Sequence, residues 1–188
     1  MEQLAIFASG GGSNAQAIID YFDGNEEIKI ALIVTNNQNA GVIDRGRKHK
    51  LPVFIHAKDD MNNGVLLQAL RVHGVSFVIL AGYLKMISPD LSKAYHNKMV
   101  NIHPALLPKY GGKGMYGMNV HRAVFENKEE VSGITIHYVN ERYDEGEIIL
   151  QESCDIRDCS SPEEIQKAVL KVEHEFFAPT IEKLLIKD

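Results

Sequence analysis

The chain has 188 residues, 45% of them hydrophobic and 24% charged, with 20 basic against 25 acidic side chains for a formal charge of −5. That length amounts to one domain or slightly more. The apolar share supports a substantial core, and the acidic balance argues against a nucleic-acid binder, which usually carries a basic face. Cys154 and Cys159 are too few for a disulfide framework, and the gap between them misses the spacing of common redox or zinc pairs. The longest apolar stretch, residues 75–84 with Ser76 inside it, is too short to span a bilayer. No leader pattern opens the chain, so a cytoplasmic protein without a membrane partner is expected.

Strand and helix signals alternate along the chain. Residues 4–8 form a short apolar run suited to a strand covered on both faces, and the run ends in Ser9-Gly10-Gly11-Gly12-Ser13. Residues 14–22 carry apolar positions at helical spacing. Residues 28–34 read as a second strand, 40–49 as a short helix, and 52–55 as a third strand opened by Pro52, where a missing donor is tolerated. A helix is expected from Asp59 or Asp60, carrying Val65, Leu66, Ala69 and Leu70 and stopped by Gly74. Residues 77–81 are the clearest buried strand. Residues 89–95 predict a helix capped by Ser88 with Pro89 at its first position. Residues 99–102 predict a strand that runs into His103-Pro104, and residues 104–118, rich in glycine and proline, a long ordered loop or a lid.

Residues 119–125 fit a helix, and residues 131–139 and 147–152 fit strands. In Ser161-Pro162-Glu163-Glu164, Ser161 is expected to cap a helix, Pro162 to take its first position and Glu164 to return the capping-box bond. Pro179 is expected to bend that helix or to split off a terminal one ending near Ile186. With no repeat or linker, residues 1–188 read as a single α/β domain with a mostly parallel sheet. Ligands of such sheets bind beyond the carboxyl ends of the strands.

Two places carry chemistry. Gly10-Gly11-Gly12-Ser13-Asn14 joins a strand to a helix, so free amides and the positive end of the helix dipole can receive a phosphate there. The competing reading is a tight turn with Ser13 as helix cap. A consecutive glycine triplet, and a second strand ending in Thr35-Asn36-Asn37 without an acidic residue, do not match a nicotinamide dinucleotide site, and no Walker A lysine is present. At the other place, a strand's two-residue period puts Asn101 and His103 on one face. His103 can change charge near neutral pH, and Asn101 can donate to a developing oxyanion. Asp144 lies in a turn. Beside His103 it would stabilise imidazolium and raise the histidine pKa, but Glu141, Glu145 and Glu147 compete for that role on composition. His137 can be a supporting donor or a buried, satisfied histidine, and the second is preferred. His49, His56, His73, His96 and His121 stand in weaker contexts. No pair has the H-E-x-x-H spacing, so no metal is expected.

Several stretches together resemble the phosphoribosylglycinamide formyltransferase family of folate-dependent enzymes. They are Gly11-Gly12-Ser13-Asn14, Ala81-Gly82-Tyr83-Leu84-Lys85-Met86-Ile87-Ser88-Pro89, Asn101-Ile102-His103-Pro104-Ala105-Leu106-Leu107-Pro108-Lys109-Tyr110, Thr135-Ile136-His137-Tyr138-Val139, Asp144-Glu145-Gly146, Ile149-Leu150-Gln151 and Glu173-His174. The resemblance covers essentially the whole chain and implies a three-layer Rossmann-like fold. It also implies transfer of the formyl group of 10-formyltetrahydrofolate to the amine of a phosphorylated ribonucleotide, N1-(5-phospho-D-ribosyl)glycinamide, in purine synthesis. On that basis Asn101, His103 and Asp144 are catalytic, with protonated His103 and Asn101 stabilising the oxyanion and Asp144 keeping His103 charged and relaying a proton. Gly11, Gly12, Ser13, Asn14, Pro108, Lys109 and Glu173 bind the ribonucleotide, and Pro108 to Tyr110 help shape its cleft. Tyr83, Leu84, Lys85, Met86 and Ile87, with Asn101, Glu141, Arg142, Tyr143 and Asp144, line the folate pocket. Three features depart from the family pattern: the glycine- and methionine-rich 111–118 loop, Glu145 in place of a small residue, and Leu170 in place of a polar phosphate contact that Lys171 or a loop lysine can replace. Other readings are methionyl-tRNA formyltransferase, formyltetrahydrofolate hydrolase and a non-enzymatic nucleotide-binding module.

Overall fold

A computed structural model describes residues 1–62 and 64–186. Hydrogen-bonded neighbours give the strand order β3-β2-β1-β4-β5-β6-β7 for β1 (Glu2–Phe7), β2 (Ile28–Thr35), β3 (Val53–Ile55), β4 (Phe77–Leu80), β5 (Met99–His103), β6 (Val131–Tyr138) and β7 (Ile148–Asp155). This is the expected mixed α/β fold with a mostly parallel central sheet. The chain divides into two compact units, residues 1–100 and residues 101–186.

In the first unit, β1 pairs in parallel with β2 and β4, and β2 with β3. Leu4–Phe7 of β1 and all of β4 are buried, as continuous apolar runs must be when both faces of a parallel sheet are covered. The helices are α1 (Ser13–Tyr21), α2 (Val42–Lys48), α3 (Val65–Val72) and α4 (Pro89–Ala94). They bury Ile18 and Ile19, Val42 and Ile43, Leu66 and Leu70, and Leu91. The start of α4 is as expected: Pro89 opens it and the Ser88 hydroxyl accepts the Leu91 amide at 3.3 Å. The helix expected from Asp59 onward differs. A 3-10 turn occupies Asp59–Met61, and α3 begins only after Gly64, whose φ of 82° is outside helical space. Residue 63, inside that expected helix, lies outside the described residues.

In the second unit, β6 and β7 are antiparallel, with Ile134 opposite Glu152; α5 (Met118–Glu126) precedes them in the chain and α6 (Pro162–Leu185) follows. Of the two outcomes expected at Pro179, the split does not occur: one helix runs through to Leu185. Its buried residues Val169, Glu173, Phe177 and Ile181 recur every fourth position, so packing of that stripe outweighs one lost backbone bond. The Thr180 hydroxyl also donates to the Phe176 carbonyl at 2.7 Å, supplying a donor beside the missing one. At the start of α6, Ser161 caps by accepting the Glu164 amide at 3.3 Å, but the Glu164 carboxylate receives the Ser160 amide and hydroxyl at 2.6 and 2.9 Å rather than the amide of Ser161.

Candidate active site

Within the second unit, β5 ends at His103, and the following segment is tied down by buried polar groups. The Thr135 hydroxyl of β6 donates to the Ala105 carbonyl at 2.7 Å and accepts the Leu107 amide at 3.0 Å. Gln151 of β7 donates to the Leu107 carbonyl and to the Thr135 hydroxyl, both at 2.9 Å. Strand β5 therefore hands over to a loop whose start cannot drift, and His103 is 4% exposed.

The structure brings the expected carboxylate to that histidine. Asp144 Oδ2 lies 3.6 Å from His103 Nδ1, and Asp144 Oδ1 lies 3.6 Å from His137 Nε2. One carboxylate therefore stands between two buried imidazoles. Asp144 has a left-handed backbone, φ 56°. Gly146 lets that turn settle on β6, since a Cβ there would sit 1.6 Å from the Tyr138 carbonyl oxygen. Glu145 points away and pairs with Arg142 at 3.2 Å. Its size is thus absorbed by solvent, which explains how this position differs from the expected small residue without disturbing Asp144.

Hydrogen-bond partners assign the ring protons. His103 Nε2 is 2.8 Å from the Tyr110 carbonyl. A carbonyl can only accept, so Nε2 carries the hydrogen. In the neutral ring, Nδ1 then presents a lone pair toward Asp144. His137 Nδ1 is 2.9 Å from the Tyr138 carbonyl and so also carries a hydrogen, leaving Nε2 to accept from Asn101 Nδ2 at 3.1 Å. His137 is therefore both buried and satisfied, as preferred from sequence, and a direct neighbour of two of the three expected catalytic residues.

Charge follows from burial. His103 is held below the ordinary imidazole range. Its burial dominates, and the pull of Asp144 and the Tyr110 carbonyl in the opposite direction does not make up the difference. This corrects the expectation that Asp144 keeps His103 protonated: Asp144 does favour imidazolium, but desolvation outweighs it. Asp144 itself is held below the usual carboxylate range. Burial would raise it, and the His137 and His103 rings in their protonated forms, with the Gly112 amide 2.8 Å from Oδ2, overcome that. The resting pair is an ionised carboxylate beside a neutral imidazole.

The 104–118 segment, expected as an ordered loop or a lid, is held at its middle. Tyr110 reaches the Glu129 carboxylate with its hydroxyl at 2.8 Å, and the Lys109 ammonium reaches the same oxygen at 3.0 Å. Pro108 is exposed. Glu173 is buried on α6, Leu170 is half-buried there, and Lys171, Glu141, Arg142 and Tyr143 are exposed.

The glycine loop belongs to the first unit. Gly12, at φ 71°, takes the cap position of α1, so Ser13 is the first helical residue and not the cap. A side chain at Gly12 would meet Val42 of α2 at 2.7 Å. From α2, Arg45 Nε donates to the Gly11 carbonyl at 2.6 Å and the Val42 amide to the Gly10 carbonyl at 3.2 Å. The loop's carbonyls are thus taken up behind it, which leaves the donors of a helix start available to an anion. Ser13 is half-buried and Asn14 buried.

In the same unit, β4 is followed by Tyr83, buried against Phe7 with ring centroids 5.3 Å apart and hydrogen-bonded to His56 at 2.7 Å. Burial raises its phenol well above the ordinary value. The Leu84 amide donates to the Ser9 hydroxyl at 2.9 Å. Leu84 and Met86 are exposed apolar side chains, Lys85 is exposed and Ile87 is buried.

Sequence reasoning missed the supporting residues Thr135, Gln151, Gly112 and Arg45, and took Tyr110, with Pro108 and Lys109, only as shaping the substrate cleft. Thr135, Gln151 and Tyr110 stand inside stretches that carry the family resemblance, and that was their only signal. Among the described residues, no three His, Cys, Asp or Glu side chains form a group that could hold a metal. No described helix is long and apolar enough to cross a membrane.

The formyl transferase family model matches residues 2–181. The chain is 42% identical over 187 residues to the chloroplastic phosphoribosylglycinamide formyltransferase of Arabidopsis thaliana, covering 96% of this chain and 64% of that protein. It thus spans somewhat less than two thirds of the length of the chloroplastic relatives it matches. It is 35% identical over 191 residues to phosphoribosylglycinamide formyltransferase of Bacillus subtilis (strain 168), covering 98% of this chain and 95% of that one. The crystal structure of the Bacillus halodurans phosphoribosylglycinamide formyltransferase superposes with a TM-score of 0.89 at 34% identity, over 99% of this chain and 96% of that one. By sequence and by fold, the chain belongs to the formyl transferase family and groups there with the phosphoribosylglycinamide formyltransferases.

Proposed function

We propose that the protein transfers a formyl group from 10-formyltetrahydrofolate to the amine of N1-(5-phospho-D-ribosyl)glycinamide, a step of purine biosynthesis. The observation that carries this reading is the Asn101, His103 and Asp144 group, with His103 buried beside one ionised carboxylate, in a chain of this family. Residues 11–14 are assigned to the phosphate. Residues 83–87 are assigned to the reduced folate, for which the exposed Leu84 and Met86 supply apolar surface. On the same reading, residues 141–144 also serve the folate, and Pro108, Lys109 and Glu173 the ribonucleotide. The folate supplies the formyl group and a nitrogen leaving group.

The chain's own residues do the rest. Asn101 already gives one amide hydrogen to His137 and has a second for the formyl oxygen as negative charge grows there. The incoming amine must lose a proton. A neutral His103 with its Nδ1 lone pair beside ionised Asp144 can take it. The proton converts a lone pair facing a carboxylate into an imidazolium–carboxylate pair, and the new positive charge then stabilises the oxyanion. Passing that proton on to the leaving nitrogen restores the resting pair. Phosphate binding at residues 11–14 orients the amine from a distance.

The test is consumption of 10-formyltetrahydrofolate with and without the ribonucleotide. Formylated ribonucleotide should appear only when both are present. Formate release without ribonucleotide would instead support a hydrolase, and no consumption under either condition would refute the reading.

A further inference from the structure

The turn at residues 109–112 touches both halves of the catalytic pair. The Tyr110 carbonyl receives the His103 Nε2 hydrogen at 2.8 Å, and the Gly112 amide binds Asp144 Oδ2 at 2.8 Å. This turn is not relaxed. Tyr110 has φ 57°, in the left-handed region that a bulky residue avoids. A side chain at Gly111 would sit 2.5 Å from Leu107 Cδ2 and 3.5 Å from Asp144 Cβ. Such a conformation persists only where its surroundings hold it. The hold comes from outside the site: Glu129, in the connection after α5, accepts the Tyr110 hydroxyl at 2.8 Å and the Lys109 ammonium at 3.0 Å through one oxygen.

We infer that Glu129 is a positioning residue for the reaction: by holding the Tyr110 hydroxyl it keeps the 109–112 turn in its left-handed form, and so fixes the proton on His103 Nε2 with Nδ1 turned to Asp144. Glu129 touches neither imidazole. Its effect passes through the Tyr110 ring to the Tyr110 carbonyl. The charged and titratable groups that bear on His103 itself are Asp144 from the turn before β7, His137 from β6 and His121 from α5, and none of them is replaced in the variants below.

The kinetic arm rests on the formyl-transfer reading; a second arm does not. Steady-state constants are measured for Tyr110→Phe, Glu129→Ala, Glu129→Gln and the Tyr110→Phe/Glu129→Ala double variant. Both single losses of the bond should lower kcat roughly tenfold, with smaller changes in either KM, and the double variant should be no worse than either alone, since all three break the same bond. Glu129→Gln keeps an acceptor for the Tyr110 hydroxyl and should recover most of the activity. Independently, nitrogen NMR of the His103 ring in the ligand-free protein reads the tautomer and its titration. The parent and Glu129→Gln should hold the hydrogen on Nε2, and Tyr110→Phe and Glu129→Ala should show a mixture, with His103 titrating at lower pH. An unchanged His103 ring in Glu129→Ala overturns the inference, as do additive kinetic losses. A parent that transfers no formyl group, but whose His103 tautomer responds to Glu129→Ala, would sink the functional reading and leave the positioning role standing.

Discussion

The glycine loop at residues 10–14 and the His103–Asp144 pair solve opposite problems. The loop is made of backbone: Gly12 takes a left-handed cap, and Val42 and Arg45 bind the carbonyls of Gly10 and Gly11 from behind. Its capacity to attract an anion comes from peptide dipoles, which do not titrate. The pair is made of side chains that do titrate, held by Tyr110, Gly112 and His137, and its charge state is a compromise between desolvation and neighbouring charge. The first region should therefore be sensitive to shape and indifferent to pH, and the second sensitive to both.

The largest effect tests the second region. Asp144→Asn keeps the shape and removes the charge that stabilises protonated His103, and kcat should fall roughly a thousandfold, on the scale of disabled general-base catalysis, with the ribonucleotide KM little changed. Near-parental turnover would remove Asp144 from the chemistry. The mirror experiment is Ser13→Ala with Asn14→Ala. Losing two donors to a charged phosphate should raise the ribonucleotide KM by about ten- to a hundredfold and leave the folate KM and the pH profile alone. An unchanged KM would remove the Ser13 and Asn14 side chains from phosphate binding and leave only the backbone amides of the loop to carry it.

The smallest effect sharpens the contrast through stability. His121, on α5, is 3% exposed, its Nδ1 has no hydrogen-bond partner, and burial, with a contribution from His103, lowers its pKa to about 4. The unfolded chain binds a proton near the ordinary histidine value of about 6.5, so between these values the unfolded state takes up more protons than the folded one. Stability is full above that window and is lost as pH falls through it, by about 3 kcal/mol at most. His103 adds to the loss in the same direction. Asp144, with its lowered folded pKa, adds a further loss once pH falls below the ordinary carboxylate range and through that lowered value. Thermal midpoints from pH 7.5 to 4.5 should drop for the parent and drop less for His121→Gln. Equal slopes would show that His121 does not carry this share.

Much of the scaffold was legible locally. Buried runs such as Phe77–Leu80 have no other reading than a covered strand, and Ser88-Pro89 and Ser161-Pro162 start helices because capping needs only neighbours in the chain. Where prediction slipped, a nonlocal force intervened. The split that Pro179 allowed was overruled by the buried stripe of α6, and the competing reading of Ser13 as cap failed because Gly12 adopts a left-handed turn against Val42. At the site, Asn101 and His103 were readable as one strand face, and His137 as a buried, bonded histidine. That Asp144 rather than Glu141, Glu145 or Glu147 reaches His103 was not readable from composition.

The order of strands and helices, the place of the glycine loop and the Asn-x-His-Pro strand end follow from periodicity, turn chemistry and spacing, which act over a few residues. Folding decided which carboxylate meets which imidazole and what charge each carries. Those outcomes depend on how much water is excluded around His103 and on donors such as the Gly112 amide, 32 positions from Asp144 in the chain, and a pKa is a property of that assembled surrounding and not of any short stretch of residues.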